Sequence, residues 1–181
     1  MGALYIGADP GKEGAFSAIS DEGKIIQMIP MPINKDTGEM DVTLVVDFVC
    51  DALKAYNADQ IVFVEEDVHP LYMVSAKSTA SLMKNKGMIE ATFKMMRLYS
   101  LGFESAFIYI APKTWQKLVW NHTDKVFEGG KVNTKATSLN AFYRLFPGVS
   151  PLKNSRCTKA HDGMVDASLI AYAGMLKLRN N

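Results

Sequence analysis

The sequence predicts an α/β fold with a five-stranded mixed sheet flanked by helices. Three short apolar segments near the N-terminus are separated by turn residues, which predicts an antiparallel meander. Two later apolar segments each follow a segment with helical spacing, which predicts parallel strands added to the meander. Segments with helical spacing between and after these strands supply the helices that cover this sheet.

The strands are recognised by apolar runs that end at turn or charged residues. The first ends in ADPGKEG, whose Pro10 and glycines indicate a tight turn, and the fourth is a continuous apolar run typical of a strand covered on both faces. The predicted strands are Leu4 to Asp9, Ala15 to Ser20, Lys24 to Pro30, Ile61 to Val64 and Glu104 to Ile110.

The helices are recognised by apolar residues at helical spacing. A polar stretch from Asn121 to Asn133, with Gly129 and Gly130 inside it, predicts a mobile loop. The predicted helices are Val42 to Tyr56, Ser75 to Tyr99, Pro112 to Trp120, Thr134 to Leu145 and about His161 to Leu178.

Length and composition indicate one globular domain, residues 1–181. The chain is 48% hydrophobic and 22% charged, which is ordinary globular usage. No apolar run reaches the roughly 18 residues that a membrane helix needs, and the N-terminus lacks a basic region and a cleavable signal. Two cysteines are too few for a disulfide framework. We therefore expect a soluble protein of the cytoplasm.

The formal net charge of +1 conceals an uneven distribution. Residues 1–70 hold 4 Lys and no Arg against 13 acidic residues, a net charge of −9, whereas residues 71–181 have a net charge of +10. Such asymmetry is a hint of nucleic-acid contact, because lysine and arginine that neutralise phosphates supply most non-specific affinity. Basic residues that only solvate helix surfaces are the alternative.

Carboxylates stand at the ends of two predicted strands and at the start of the last helix. Asp9 ends the first strand, and Glu65 or Glu66 ends the fourth. Asp162 and Asp166 lie four positions apart and share one helical face, where two like charges are destabilising by roughly 0.2–0.5 kcal/mol. Neighbouring parallel strands bring their carboxyl ends together, so these acids are expected to surround one small volume.

Two interpretations of the acids remain open at this point. Asp162 can cap the last helix, Asp9 can be a turn residue, and Glu65 to Asp67 can start a solvated loop. Alternatively, the acids share Mg²⁺ or Mn²⁺, with two ions about 3.5–4 Å apart as in phosphodiester displacement. Each structural interpretation is fair for one residue but less so for all of them together.

The motifs resemble those of RuvC-like Holliday junction resolvases, which have a ribonuclease H-like fold. YIGADPGKEGAFSAI resembles the first motif of that family, VFVEEDVHP the second and HDGMVDASLIAYA the last. KGMIEATF, APKTWQKL and KATSLNAFYRLFP are similar to intervening segments of its phage and small bacterial branch. The resemblance covers nearly the whole chain and rests on the order and spacing of short motifs.

The resemblance implies a homodimeric endonuclease of DNA recombination and repair that makes paired nicks in four-way DNA junctions with Mg²⁺ or Mn²⁺. Carried over by position, Asp9 is the first acid and Asp166 the last. Glu66 matches the second acid best, with Glu65 one residue away on the opposite strand face. Asp162 stands four residues before Asp166, where some family members use a spacing of three that would fall on Gly163. A histidine stands near this point in some relatives, so His161 is a further candidate for the active site, although a capping or core role is the more common one for such a histidine.

Basic residues and one aromatic residue are the expected DNA contacts. We expect Lys159 to stabilise transition-state charge, with Lys153 and Arg156 beside it, and Tyr72 to match the residue that the family inserts into the junction. The further phosphate contacts are expected on the long helix at Lys77, Lys84, Lys86 and Lys94.

Other functions are compatible with parts of this pattern. The same chemistry on flaps, forks or RNA–DNA hybrids is the main alternative. An actin-like ATPase also begins with Asp-x-Gly after a first strand, but such proteins need two domains and this chain supplies one. A junction-binding protein without catalysis gains nothing from carboxylates placed beside phosphates.

Overall fold

The computed structural model describes residues 2–69, 75–99 and 104–180. Its main sheet has five strands in the order β3-β2-β1-β4-β5, and a separate two-stranded hairpin follows later in the chain. The predicted mixed five-stranded sheet is therefore confirmed. The strands are β1 (Ala3–Asp9), β2 (Ala15–Ser20), β3 (Ile25–Pro30), β4 (Gln60–Glu66), β5 (Glu104–Ile110), β6 (Phe127–Glu128) and β7 (Lys131–Val132).

Strand pairing brings the carboxyl ends of β1 and β4 together. β1 and β2 are antiparallel, as are β2 and β3, whereas β4 runs parallel to both β1 and β5. In the β1–β4 ladder Ala8 is paired with Glu65. Because side chains alternate between the two sheet faces, Asp9 and Glu66, each one residue later, point to the same face.

Among the described residues, five helices cover the two faces of the sheet. α1 and α2 pack on one face, around Phe48, Phe63 and Phe93, while α3, α4 and α5 pack on the other, around Trp115, Phe142 and Leu169. The helices are α1 (Val42–Tyr56), α2 (Ala76–Tyr99), α3 (Pro112–Val119), α4 (Thr134–Leu145) and α5 (Asp162–Arg179).

Helix α5 lies unusually close to the sheet because glycines stand at its contact points. A Cβ atom on Gly7 of β1 would overlap the carbonyl oxygen of Ala167 and lie 2.7 Å from the Ala171 nitrogen. A Cβ on Gly163, in the first turn of α5, would overlap the carbonyl oxygen of Glu13. Only glycine permits these backbone approaches, so the glycines fix the height of α5 above β1.

The segment predicted as a mobile loop contains ordered structure. β6 and β7 form a hairpin that turns through Gly129 and Gly130, both with positive φ. Arg144 of α4 binds the buried Asp124 through Nε (2.9 Å to Oδ1) and Nη2 (2.7 Å to Oδ2), and it also donates to the carbonyl oxygen of Val119. This ion pair joins the segment to α3 and α4.

Within the described ranges, none of the helices combines the length and the apolar character that a membrane crossing requires.

We predict that Gly7→Val destabilises the protein by roughly 3 kcal/mol or more, since the new side chain must push α5 off the sheet. Urea denaturation followed by circular dichroism measures this change. The control is Gly87→Ala in α2, where a Cβ meets nothing within 4 Å. The better helix propensity of alanine should make this variant more stable by up to about 1 kcal/mol. Equal stability of the Gly7→Val variant and the parent protein would contradict the close packing of α5.

We also predict that Arg144→Met lowers the free energy of unfolding by roughly 3–5 kcal/mol, because Asp124 stays buried without its cation. The double variant Asp124→Asn/Arg144→Met should recover part of that loss, and a double-mutant cycle of urea midpoints measures the coupling. Additive effects of the two substitutions would show that the pair does not hold the segment.

Candidate functional site

Three carboxylates from three separate elements face one another beside the sheet. Asp9 ends β1, Glu66 ends β4, and Asp166 lies on the second turn of α5, directly before the residue whose carbonyl approaches Gly7. All three are partly exposed at the surface of the fold. The register of β1 and β4 and the close packing of α5 therefore bring together the acids that the sequence singled out.

Burial disfavours the ionisation of all three carboxylates, and the charge of Asp9 adds to this effect at Glu66 and Asp166. Burial, the nearby charge of Asp9 and that of Glu66 raise the pKa of Asp166 to about 7. Burial is also the first cause that raises the pKa of Glu66 to about 7, and the charge of Asp9 adds to it. Burial raises the pKa of Asp9 as well. Such destabilisation is what a bound cation relieves.

Three hydrogen bonds orient these carboxylates. The Gly11 backbone N–H donates to Oδ1 of Asp9 (3.1 Å), and Nε1 of Trp115 donates to Oε1 of Glu66 (2.7 Å). The hydroxyl of Ser138, buried on α4, binds the carboxylate of Asp166. Neither Trp115 nor Ser138 was among the predicted site residues, because neither contact is visible without the positions of α3 and α4.

Glu65 points to the opposite face of the sheet from Asp9. It is fully buried on the side of α2, and neither of its carboxylate oxygens has a hydrogen-bond partner among the described residues. Burial is the main cause that raises its pKa to about 8, and Lys86 of α2 is the nearest cation that opposes this rise. The structure thus places Glu66, and not Glu65, beside Asp9 and Asp166.

Asp162 lies at the edge of the cluster of Asp9, Glu66 and Asp166, which we call the acid group, and it has its own cation. Its carboxylate forms an ion pair with Lys135 of α4 (2.6 Å), and its side chain is 41% exposed. The charge of Asp162 still contributes to the raised pKa of Asp166. Lys135 was not among the predicted site residues, although its position on α4 brings it one turn from Ser138.

His161, and not Asp162, caps helix α5. The Nδ1 atom of His161 accepts a hydrogen bond from the Met164 backbone N–H (3.2 Å), so Asp162 is the first helical residue. Burial lowers the pKa of His161, and the charge of Lys153 lowers it further. The interpretation of Asp162 as the cap of the helix, one of the two left open by the sequence, is therefore wrong, although its charge still lies in the favourable first turn.

The donor chemistry of the acid group fits a hard divalent cation. Carboxylate oxygens from three elements are the ligands that Mg²⁺ and Mn²⁺ prefer, and their partial exposure gives an ion access. The fit concerns ligand type. Across residues 2–69, 75–99 and 104–180, no three histidine, cysteine, aspartate or glutamate side chains stand at the spacing of a completed metal site.

Helix α2, which carries the predicted lysines, packs on the face of the sheet opposite the acid group, and several of these lysines have carboxylate partners. Lys84 pairs with Glu39, Lys94 with Glu90 (2.5 Å) and Lys86 with Asp67 (3.0 Å). The Lys86 side chain is only 16% exposed and lies 5.1 Å from the centre of the Tyr109 ring. Lys77 is exposed near the start of the helix.

The remaining predicted contacts lie before α5 or outside the structure. Lys153, Arg156 and Lys159 are exposed in the segment that leads from α4 to α5. Lys159 makes no ion pair with a described residue, and it lies three residues before the first residue of α5. Tyr72 lies outside the described residues.

The raised pKa of Asp166 predicts how stability depends on pH. A carboxyl group whose pKa is raised by folding costs stability once it ionises, so the metal-free protein should lose stability between about pH 4 and pH 7. In excess EDTA at pH 8, Asp166→Asn should raise Tm by at least about 2 °C. Thermal melts at pH 4 and pH 8 measure this gain, which should disappear at pH 4.

Asp162→Asn is the matched control for that substitution. Asp162 is more exposed and already paired with Lys135, so its replacement should give no gain in Tm at pH 8. An unchanged or lower Tm for Asp166→Asn at pH 8 would show that the acid group does not strain the metal-free fold.

Comparisons with known proteins identify the fold through structure alone. No protein-family model and no curated protein matches the sequence. Among solved structures, RuvC of Thermus thermophilus in complex with a Holliday junction substrate matches with a TM-score of 0.59 at 9% identity, covering 100% of this chain and 96% of that one. A second Thermus thermophilus RuvC structure matches with a TM-score of 0.58 at 12% identity, covering 99% and 96%. The chain therefore has the ribonuclease H-like fold of RuvC.

Proposed function

We propose that this protein is a metal-dependent endonuclease that resolves four-way DNA junctions. The observation that carries the proposal is the convergence of Asp9, Glu66 and Asp166, each with a raised pKa, at the carboxyl ends of β1 and β4. A binding protein for DNA would be weakened by three carboxylates at its surface, whereas a hydrolase needs them to hold cations.

Asp9, Glu66 and Asp166 would hold the cations, with Asp162 at the edge of the site. Mg²⁺ or Mn²⁺ bound there, two ions in our proposal, would supply a Lewis acid that lowers the pKa of a water molecule and stabilises charge on the phosphate. The indole of Trp115 and the hydroxyl of Ser138 fix the orientation of Glu66 and Asp166. We assign Lys159 to the phosphate oxygens, since it is exposed before α5 and free of other ion pairs with described residues.

Resemblance of the motifs supports the choice of substrate and assembly. The order and spacing of the three acidic motifs are similar to those of RuvC-like resolvases, and the RuvC structure of the same fold is bound to a Holliday junction. A homodimer would place two acid groups on one junction, which paired nicks require. We further place the protein in the cytoplasm of a bacterial or phage-infected cell.

Cleavage of a labelled four-way junction, beside a linear duplex of matched sequence, tests this function. With Mg²⁺ or Mn²⁺ the parent protein should make paired nicks in the junction. Asp166→Asn should lower the rate by at least about 100-fold while junction binding is retained, because it removes a ligand and not a DNA contact. Glu65→Gln is the control, since Glu65 faces the other side of the sheet.

Each other outcome separates a specific alternative. Equal cutting of flaps, forks or hybrids would indicate the same chemistry with a broader substrate range. Binding of the junction without cutting in either metal would contradict the catalytic proposal. Light scattering measures the mass of the free protein and of its complex with the junction. A mass of one chain in both states would contradict the homodimer.

A further inference from the structure

A groove lined by lysines lies on the outer side of α3, away from the lysines that the sequence indicated. It has a volume of about 360 Å³. The groove runs between α3 and the β6–β7 hairpin, and its lining consists of Lys113, Gln116, Lys117, Trp120, Lys125 and Val132. Its three lysines are exposed.

The groove carries positive charge that nothing in the described fold neutralises. Lys113, Lys117 and Lys125 make no ion pair with a described residue. Asp124, the acid adjacent to Lys125, is buried and bound by Arg144. Lys84, Lys86 and Lys94 of α2, by contrast, each pair with a carboxylate. The lysines of the groove keep a positive charge that is not paired, whereas these three lysines of α2 are paired, so the groove is the better surface for a polyanion.

The groove neighbours a cleft that reaches one residue of the acid group. Lys113 lines both the groove and this cleft of about 530 Å³, whose lining includes Glu66. The two cavities therefore lie on either side of Lys113, in the first turn of α3. Trp120, in the groove, packs edge-on against Trp115 with 6.0 Å between ring centres, and Trp115 donates its hydrogen bond to Glu66.

A hydrogen-bond donor in the groove wall also lacks an acceptor. Nε1 of Trp120 is buried and has no partner among the described residues. An indole N–H that is withdrawn from water without an acceptor is destabilising. Because this Nε1 atom is withdrawn from solvent, a phosphate in the groove does not reach it in the present arrangement, and the donor that the groove offers to a phosphate oxygen is the amide of Gln116.

We propose that this groove holds the phosphodiester backbone of the DNA strand that adjoins the phosphate being cut. This proposal rests on the proposed nuclease function, because it assumes that the phosphate being cut lies at the acid group, beside Glu66. Lys113 and Lys117 are one helical turn apart and face the same side of α3, and Lys125 approaches from the segment that the Asp124–Arg144 ion pair holds in place. Contacts of this kind position a strand without reading its sequence.

The triple variant Lys113→Gln/Lys117→Gln/Lys125→Gln tests the groove by the salt dependence of DNA binding. The dissociation constant for a four-way junction is measured in EDTA at several salt concentrations between roughly 50 and 200 mM. The slope of log affinity against log salt should fall in magnitude by roughly 2 to 3, because each lysine that leaves a phosphate removes nearly one unit. Affinity at the lowest salt should fall by at least about 10-fold.

A control triple variant carries the same change in net charge at the other end of the sheet. Lys24 lies in the turn before β3, Lys54 near the end of α1, and Lys177 in the last turn of α5, whose Arg179 contacts the carbonyl oxygen of Asp21. Lys24→Gln/Lys54→Gln/Lys177→Gln should leave the slope within about half a unit of the parent value. Thermal melts of both triples verify that each is folded.

The outcomes distinguish the groove from the nuclease function. An unchanged slope in the groove variant, or an equal fall in the slope of the control variant, overturns the groove proposal. If the parent protein still cuts the junction, the proposed function stands without the groove. A fall confined to the groove variant, with no cutting by the parent in Mg²⁺ or Mn²⁺, supports the groove and overturns the function. Absence of DNA binding by the parent overturns both.

Discussion

The close approach of α5 to β1 is the constraint on which the site depends. Gly7 lets the carbonyl oxygen of Ala167 come within contact distance of the strand, and Gly163 does the same for the turn after β1. Two helical turns after Ala167, Gly174 of α5 packs against the side chain of Val64 of β4. With the helix fixed at three points, Asp166 has little freedom of position relative to Asp9, and any side chain added along this line would move one acid away from the other.

That placement has an energetic cost that a bound cation would offset. Burial raises the pKa of all three carboxylates, and the charge of Asp9 raises the pKa of Glu66 and of Asp166 further. Neighbouring side chains hold the arrangement in place. Trp115 donates a hydrogen bond to Glu66, and Ser138 donates one to Asp166. Lys135 forms an ion pair with Asp162 at the edge of the acid group. An acid group that is held in place at the expense of stability is typical of a functional site.

Local patterns in the sequence predicted most of the fold, since period-2 and period-3.6 spacing identified all five strands of the main sheet and the helices around them. The choice between Glu65 and Glu66 was left open, because it depends on which residue pairs with Ala8. The β6–β7 hairpin was missed because its strands are only two residues long, although Gly129 and Gly130 are a local turn signal, and a buried ion pair between Asp124 and α4 adds support from a distant helix. Partners distant in sequence likewise kept the ion pairs of Lys84 and Lys86 from being predicted, whereas Lys94 pairs with Glu90 one turn away on the same helix. The roles of the site residues stay predictions.

Mn²⁺ binding tests the shared acid site most directly, because it requires neither DNA nor catalysis. Isothermal titration calorimetry near pH 7, in buffers of different ionisation enthalpy, gives both the affinity and the protons released. We expect the parent to bind Mn²⁺ with proton release, since Glu66 and Asp166 are partly protonated there. Glu66→Gln should weaken binding by at least about 10-fold, whereas Glu65→Gln should not. Equal affinities of the parent and the Glu66→Gln variant would contradict a metal site built from Asp9, Glu66 and Asp166.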